Sequence, residues 1–172
     1  LNLIVDLGNT RVKCAIFNDE DSIINIIIKP KRYLFKVVSD LLSNYEISSA
    51  ILSNTSVPDE GTLKMLKALK NFIHLNELTK IPIKNEYGTP STLGKDRIAA
   101  AVAASLRFSR EHVLFIDMGT CITMNFITSR GGFVGGNIHP GIYMRLKAMH
   151  KFTARLPLVE INVCEDFFGT ST

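Results

Sequence analysis

The chain opens with short runs in which apolar and polar residues alternate, and later changes to helical spacing. "LNLIVD" (1–6) is an apolar run ending in an acid, and "RVKCAIF" (11–17) alternates residue by residue. Between them lie Leu7, Gly8, Asn9 and Thr10, with turn-forming Gly8 and Asn9, so the pattern predicts strand, turn, strand. "SIINIIIK" (22–29) is a third β-rich run. "YLFKVVSDLLSNY" (33–45) carries apolar residues at helical spacing, and "SSAILSN" (48–54) reads as a strand. "PDEGTLKMLKALKN" (58–71) opens with Pro and acids ahead of a helical stripe. Short strands are expected at "FIHL" (72–75) and "IPIK" (81–84), and the Ala-rich "KDRIAAAVAASLRF" (95–108) predicts a helix.

At residue 112 the pattern restarts. "HVLFID" (112–117) predicts a strand, followed by a Gly turn, an alternating strand "CITMNFI" (121–127), and a Gly-Gly turn into "GFVGGNI" (132–138). A helix is expected after Pro140 and Gly141. Leu146, Met149 and Phe152 would form its buried stripe, or else a subunit contact, and Pro157 would end it. "VDLGNT" (5–10) and "IDMGTC" (116–121) therefore head two copies of one unit, Asp on Asp and Gly on Gly, with the apolar positions in phase.

A glycine turn between strands lets backbone N–H groups converge on one spot, which suits the oxygens of a phosphate chain. An acid at the end of the incoming strand would repel bare phosphate, so it calls for a cation or water between them. Thr10 and Thr120 add hydroxyls to the turns, and Lys13 lies on the outgoing strand. Two such turns facing each other would grip a polyphosphate from both sides, as in the two-lobed ATP-using folds of actin, sugar kinases and Hsp70.

Between the copies lies "EYGTPSTLGKDRIAAAVAA" (86–104). Asp96 has two readings there. It can cap the helix and complement its dipole, or accept a proton from a substrate hydroxyl while Arg97 fixes an anionic group.

Composition narrows the field. With 172 residues, 46% hydrophobic and 21% charged, the chain can bury one sizeable core or two small lobes. No apolar run approaches a membrane span, and the N-terminal stretch lacks a signal-peptide pattern, so no membrane role and a cytoplasmic location are expected. Cys14, Cys121 and Cys164 are too few and scattered for a disulfide framework or zinc site, and the four histidines show no ligand spacing. A net charge of +4 suits a phosphorylated partner without demanding nucleic acid. Lys64, Lys67 and Lys70 read as a solvated helix face, and "KPKR" (29–32) is the only basic run, so no nucleic-acid partner is expected.

Taken together, "DLGNTRVK" (6–13), "EYGTP" (86–90), "LGKDRIAA" (93–100), "DMGTCIT" (117–123), "GGNIHPG" (135–141), "LKAMHKFTARLPLV" (146–159) and "FFGTST" (167–172) resemble, in order, the motifs of the type III pantothenate kinases. The resemblance implies an α/β fold of duplicated ribonuclease H-like (actin-like ATPase) lobes, with mixed sheets flanked by helices. Residues 1–111 would form the first lobe and 112–172 the beginning of the second, the second being incomplete in this chain.

The implied activity is ATP-dependent phosphorylation of pantothenate to 4′-phosphopantothenate, the first step of coenzyme A biosynthesis. Asp6, Leu7, Gly8, Asn9, Thr10, Arg11, Val12, Lys13 and Thr120 would contact ATP, with Mg2+ near Asp6. Asp96 would be the general base. Tyr87, Gly94, Lys95, Asp96, Arg97 and Thr172 would contact pantothenate, with Arg97 a natural partner for its carboxylate. Asp117 would bind a monovalent cation, K+ or NH4+, and a homodimer is the expected assembly. The sequence begins with Leu and stops just after the S-T pair, where relatives continue, so a partial chain is expected. Cys121 stands where many relatives have Ala. Two rivals are a transcription accessory protein on the same fold and a kinase for another small molecule. Asp6, Asp96 and Asp117 speak against the first, and Tyr87, Gly94 and Arg97 against the second.

Overall fold

The computed structural model describes residues 1–161. Cys164 and Thr172 lie outside them. The element order begins β1 (Asn2–Leu7), β2 (Arg11–Phe17), β3 (Ile23–Pro30), α1 (Leu34–Asn44), β4 (Ser49–Asn54), α2 (Glu60–Lys67) and β5 (Asn71–His74). It continues with β6 (Lys84–Asn85), α3 (Lys95–Arg107), β7 (Val113–Met118), β8 (Cys121–Ile127), β9 (Gly132–Pro140) and α4 (Ile142–Phe152). This is an α/β fold with two mixed sheets flanked by helices.

The first sheet has the order β3-β2-β1-β4-β5. β1, β2 and β3 form an antiparallel meander, and β4 and β5 add in parallel beyond β1. Alternation decides its inner face: Leu3, Val5, Leu7, Val12, Cys14, Ile16 and Leu52 are at most 2% exposed. Leu34, Val37, Val38 and Leu41 of α1 cover that face, with spacings that place all four on one side of the helix. α2 starts at Asp59, which accepts hydrogen bonds from Thr62 N at 2.8 Å and Thr62 Oγ1 at 2.7 Å. Burial pushes the Cys14 thiol up to about 12, so it is an inert core group.

The second sheet runs β6-β9-β8-β7. Its meander β7, β8, β9 repeats β1, β2, β3, with the short β6 added in parallel beside β9. Its core joins Leu93, Ile98, Ala101, Ile127 and Phe133, with Ile81, Ile83 and Tyr87 against it. α3 packs on β4 of the first sheet and on β7 and β8 of the second. Its run of alanines permits that close approach on two sides while favouring the helix.

Two expectations are corrected. "IPIK" is not a strand over its length: only Lys84–Asn85 pairs, because Pro82 has no N–H to give a ladder and the flanking isoleucines turn into the core. The Leu146, Met149 and Phe152 stripe is not buried. α4 has no buried residue among those described, Phe152 is 79% exposed, and the helix ends at Phe152, well before Pro157.

Candidate functional site

The two Asp-Gly turns both close at the glycine but differ by one residue in length, Leu7 pairing with Val12 and Met118 with Ile122. Gly8 N donates to Arg11 O at 2.9 Å, and Gly119 N donates to Cys121 O at 2.9 Å, closing each hairpin at its glycine. The turns meet: Thr10 Oγ1 and Thr120 Oγ1 are hydrogen-bonded at 2.9 Å although 110 residues apart in sequence.

Each turn has its own brace. The loop after β4 holds the first, with Thr55 N donating to Leu7 O at 2.9 Å and Ser56 Oγ to Gly8 O at 3.0 Å. The second is held by the "HPG" corner, where Gly141 N donates to Thr120 O at 3.1 Å. A Cβ at Gly141 would overlap the carbonyl oxygens of Gly119 and Thr120, so only glycine lets the chain pass there.

Strand register places Asp6 between Lys13 on β2 and Ser53 on β4, on the sheet face opposite the first core. Lys13 Nζ is 3.6 Å from Asp6 Oδ2. Burial is the main reason the Asp6 carboxyl is held above the usual carboxylate range. Lys13 opposes that rise, and the negative charges of Asp96 and Asp117 add to it. Asp96 and Asp117 are therefore near enough for their charges to reach Asp6, with α3 packed on both sheets. Ser53, 8% exposed and with its Oγ lacking a partner among the described residues, is a site-facing hydroxyl that sequence reading passed over. Its signal was a polar residue within a strand's buried stretch.

Asp96 lies in the first turn of α3, where its Oδ1 accepts from Arg97 N at 2.8 Å. Gly94 has a steric reason to be glycine, because a Cβ there would run into Asp96 Oδ1. Next to it Arg97 is only 5% exposed, its guanidinium carbon 5.4 Å from the Tyr87 ring centroid and 5.8 Å from that of Phe133. Tyr87 in turn rests on Gly135, which has φ +128 and no room for a Cβ free of the ring. Phe133 and Asn125 complete this corner and were not singled out from sequence.

Not every expected residue faces the cleft. The side chains of Leu7 and Val12 belong to the first core, leaving only their backbone for a ligand. Lys95 Nζ pairs with Glu77 Oε2 at 3.3 Å. Asn9, Thr10, Arg11 and Lys13 are exposed at the rim, as is Asp117 at the end of β7.

Among the described residues, no three acidic, thiol or imidazole groups converge on one metal position. The crowded carboxylate of Asp6 still fits a hard cation that keeps most of its water and takes its other ligands from phosphate. Asp117 offers one exposed carboxylate beside the second turn.

The sequence model of the type III pantothenate kinases matches residues 2–172. The chain belongs to that family. A type III pantothenate kinase of Bacteroides fragilis is 42% identical over 160 residues, covering 92% of this chain and 65% of the relative. One from Christiangramia forsetii is 39% identical over 180 residues, covering 100% of this chain and 71% of the relative. The chain thus spans about two thirds of the length of these relatives.

Among solved structures, a protein from Campylobacter jejuni described as a Baf family transcriptional activator aligns at TM-score 0.55 and 24% identity, covering 98% of this chain and 68% of that one. A Sinorhizobium meliloti protein described as a 2-dehydro-3-deoxygalactonokinase aligns at TM-score 0.52 and 10% identity, covering 89% and 57%. These two likenesses speak to the fold alone.

Proposed function

We propose that the whole protein transfers the γ-phosphoryl group of ATP to pantothenate, giving 4′-phosphopantothenate and ADP, the first step of coenzyme A synthesis. Family membership supports the substrate pair. The observation that carries the mechanism is the meeting of the two turns at Thr10 and Thr120 with the Asp96 carboxylate close enough to raise the Asp6 pKa.

Phosphoryl transfer asks mainly for alignment and charge neutralisation. The backbone N–H groups of Asn9 and Thr10 and the hydroxyls of Thr10 and Thr120 bind the phosphate chain, and Lys13 offsets its charge. Asp96 accepts the proton of the pantothenate primary hydroxyl as that oxygen bonds to the γ-phosphorus and the bond to the ADP oxygen breaks. Asp96 Oδ1 is anchored by the Arg97 N–H, which fixes the carboxylate plane for this task. Arg97, held against Tyr87, receives the substrate carboxylate. Mg2+ near Asp6 would supply further neutralisation of phosphate charge, and K+ or NH4+ at Asp117 would do so from the second turn.

We further propose that the protein works as a homodimer in the cytoplasm; no helix among the described residues is long and apolar enough to cross a membrane. Thr172 as a pantothenate contact is part of the proposal and lies outside the described residues.

The test is ADP release by the full-length protein with and without pantothenate, in potassium and then sodium buffer. Turnover that needs pantothenate and is strong only in potassium supports both the reaction and the role of Asp117. ATP binding by folded protein with no pantothenate dependence in either buffer contradicts the assignment.

A further inference from the structure

Arg97 poses a problem in electrostatics. It is a guanidinium 5% exposed, yet none of the ion pairs among the described residues includes it, and its Nη2 is buried without a partner. A cation taken out of water this far is costly unless something polar holds it. What holds it is neutral: Arg97 Nε donates to Asn125 Oδ1 at 2.6 Å, and the Tyr87 and Phe133 rings flank the group.

Asn125 itself is fully buried in β8. Asparagine is a poor strand residue and contributes little to packing there. In the first hairpin the corresponding place, two residues beyond the partner of the strand acid, is Ala15; in the second it is Asn125. The orientation of its amide is set as well, because Nδ2 donates to Thr123 Oγ1 at 3.1 Å and so turns Oδ1 toward Arg97. Thr123 is the residue opposite Asp117. A chain of contacts thus runs from the second turn through Thr123 and Asn125 to the guanidinium.

We infer that Asn125 is a positioning residue: its Oδ1 fixes the Arg97 guanidinium by Nε, leaving the buried Nη2 and the uncompensated charge for the carboxylate of the substrate. The inference rests on the pantothenate reading and adds to it a residue, on another element, that sets affinity for the acid end of the substrate. Asn125 acts through Arg97 and has no part in ATP binding.

The experiment compares Asn125→Leu and Asn125→Asp with the wild type in the full-length protein. The readouts are KM for pantothenate, KM for ATP, kcat, and the Arg97 Nε–H resonance in nitrogen-15 spectra. Leucine keeps the volume and removes the acceptor, so KM for pantothenate should rise about tenfold or more while KM for ATP stays within about twofold. The protected Nε–H resonance should be lost. Aspartate restores the acceptor, and the Thr123 hydroxyl can turn to donate to it. The protected resonance should therefore return, but the added negative charge compensates the guanidinium, so KM for pantothenate should stay raised.

If Asn125→Leu fails to fold, Thr123→Val releases the amide without opening a cavity and should raise KM for pantothenate by about threefold to fivefold. An unchanged pantothenate KM in either folded variant, with the wild type turning over pantothenate, overturns the inference and leaves the function standing. Wild-type protein that ignores pantothenate overturns the function itself. The resonance still reports in that case whether Asn125 holds Arg97.

Discussion

The two hairpins carry the same pattern and meet different fates. In β1, Leu3, Val5 and Leu7 are at most 2% exposed; in β7, Leu114, Ile116 and Met118 are 62%, 51% and 64% exposed. Both strands alternate and both end in Asp-x-Gly. The difference lies in the neighbours. β1 is central, with β2 on one side and β4 on the other, and α1 covers its apolar face. β7 is the edge of its sheet among the described residues, paired with β8 alone. A strand pattern therefore specifies conformation and register, while burial is conferred by whatever packs on top. The acids differ in the same way. Asp6 is half-buried opposite Lys13, whereas Asp117 is exposed opposite Thr123.

The substitution with the largest expected effect asks whether the chemistry belongs to either turn. Asp96→Asn on α3 keeps the shape and removes the base, so kcat should fall by about 10²–10⁴-fold with ATP affinity nearly unchanged. Near-normal turnover would remove Asp96 from the role of base.

A second pair of substitutions compares the braces. Gly141→Ala drives a Cβ into the carbonyls of the second turn and should cost about 2–4 kcal/mol in urea unfolding. Gly8→Ala meets only Arg11 O, at 3.2 Å, and should cost about 1 kcal/mol or less. Equal losses would mean that the second turn is not held more tightly than the first.

The smallest effect concerns the buried acid. The folded-state pKa of Asp6 is raised, so the folded protein binds this proton more tightly than the unfolded chain. Its contribution to stability is present below the unfolded value of 3.8 and is lost as pH rises through the folded value. Asp6→Asn should therefore raise Tm slightly at neutral pH, with the gain vanishing at pH values below the unfolded one. Asp117→Asn, at an exposed edge, should move Tm less. Thermal scans across pH decide it, and a neutral-pH loss on Asp6→Asn would contradict the reading of Asp6 as a destabilised acid.

Much of this was legible in the sequence because it is local. The strand–turn–strand units follow from alternation and Gly8 or Gly119, and the α3 helix from its alanines. The pairing of the turns was legible as repetition, since two similar phrases in one chain imply two similar units. What escaped depends on contacts between distant segments. Arg97 reads in "GKDR" as a partner for an anionic group, and only the fold shows it buried against Asn125 of β8. Lys95 looks like its pocket partner, yet Glu77 from the preceding loop claims it. The apolar stripe of α4 is genuine amphipathicity, but nothing in the local pattern says whether a partner covers it.

The central claim is that the two turns serve one nucleotide. The most direct measurement is a double-mutant cycle on ATP affinity with Thr10→Val, Thr120→Val and the pair, by titration calorimetry on the full-length protein. Each single change should weaken ATP by about fivefold, and the double change by well under the product of the two, because hydroxyls that share a hydrogen bond and a ligand are coupled. Additive losses, or a single change without effect, would contradict the claim.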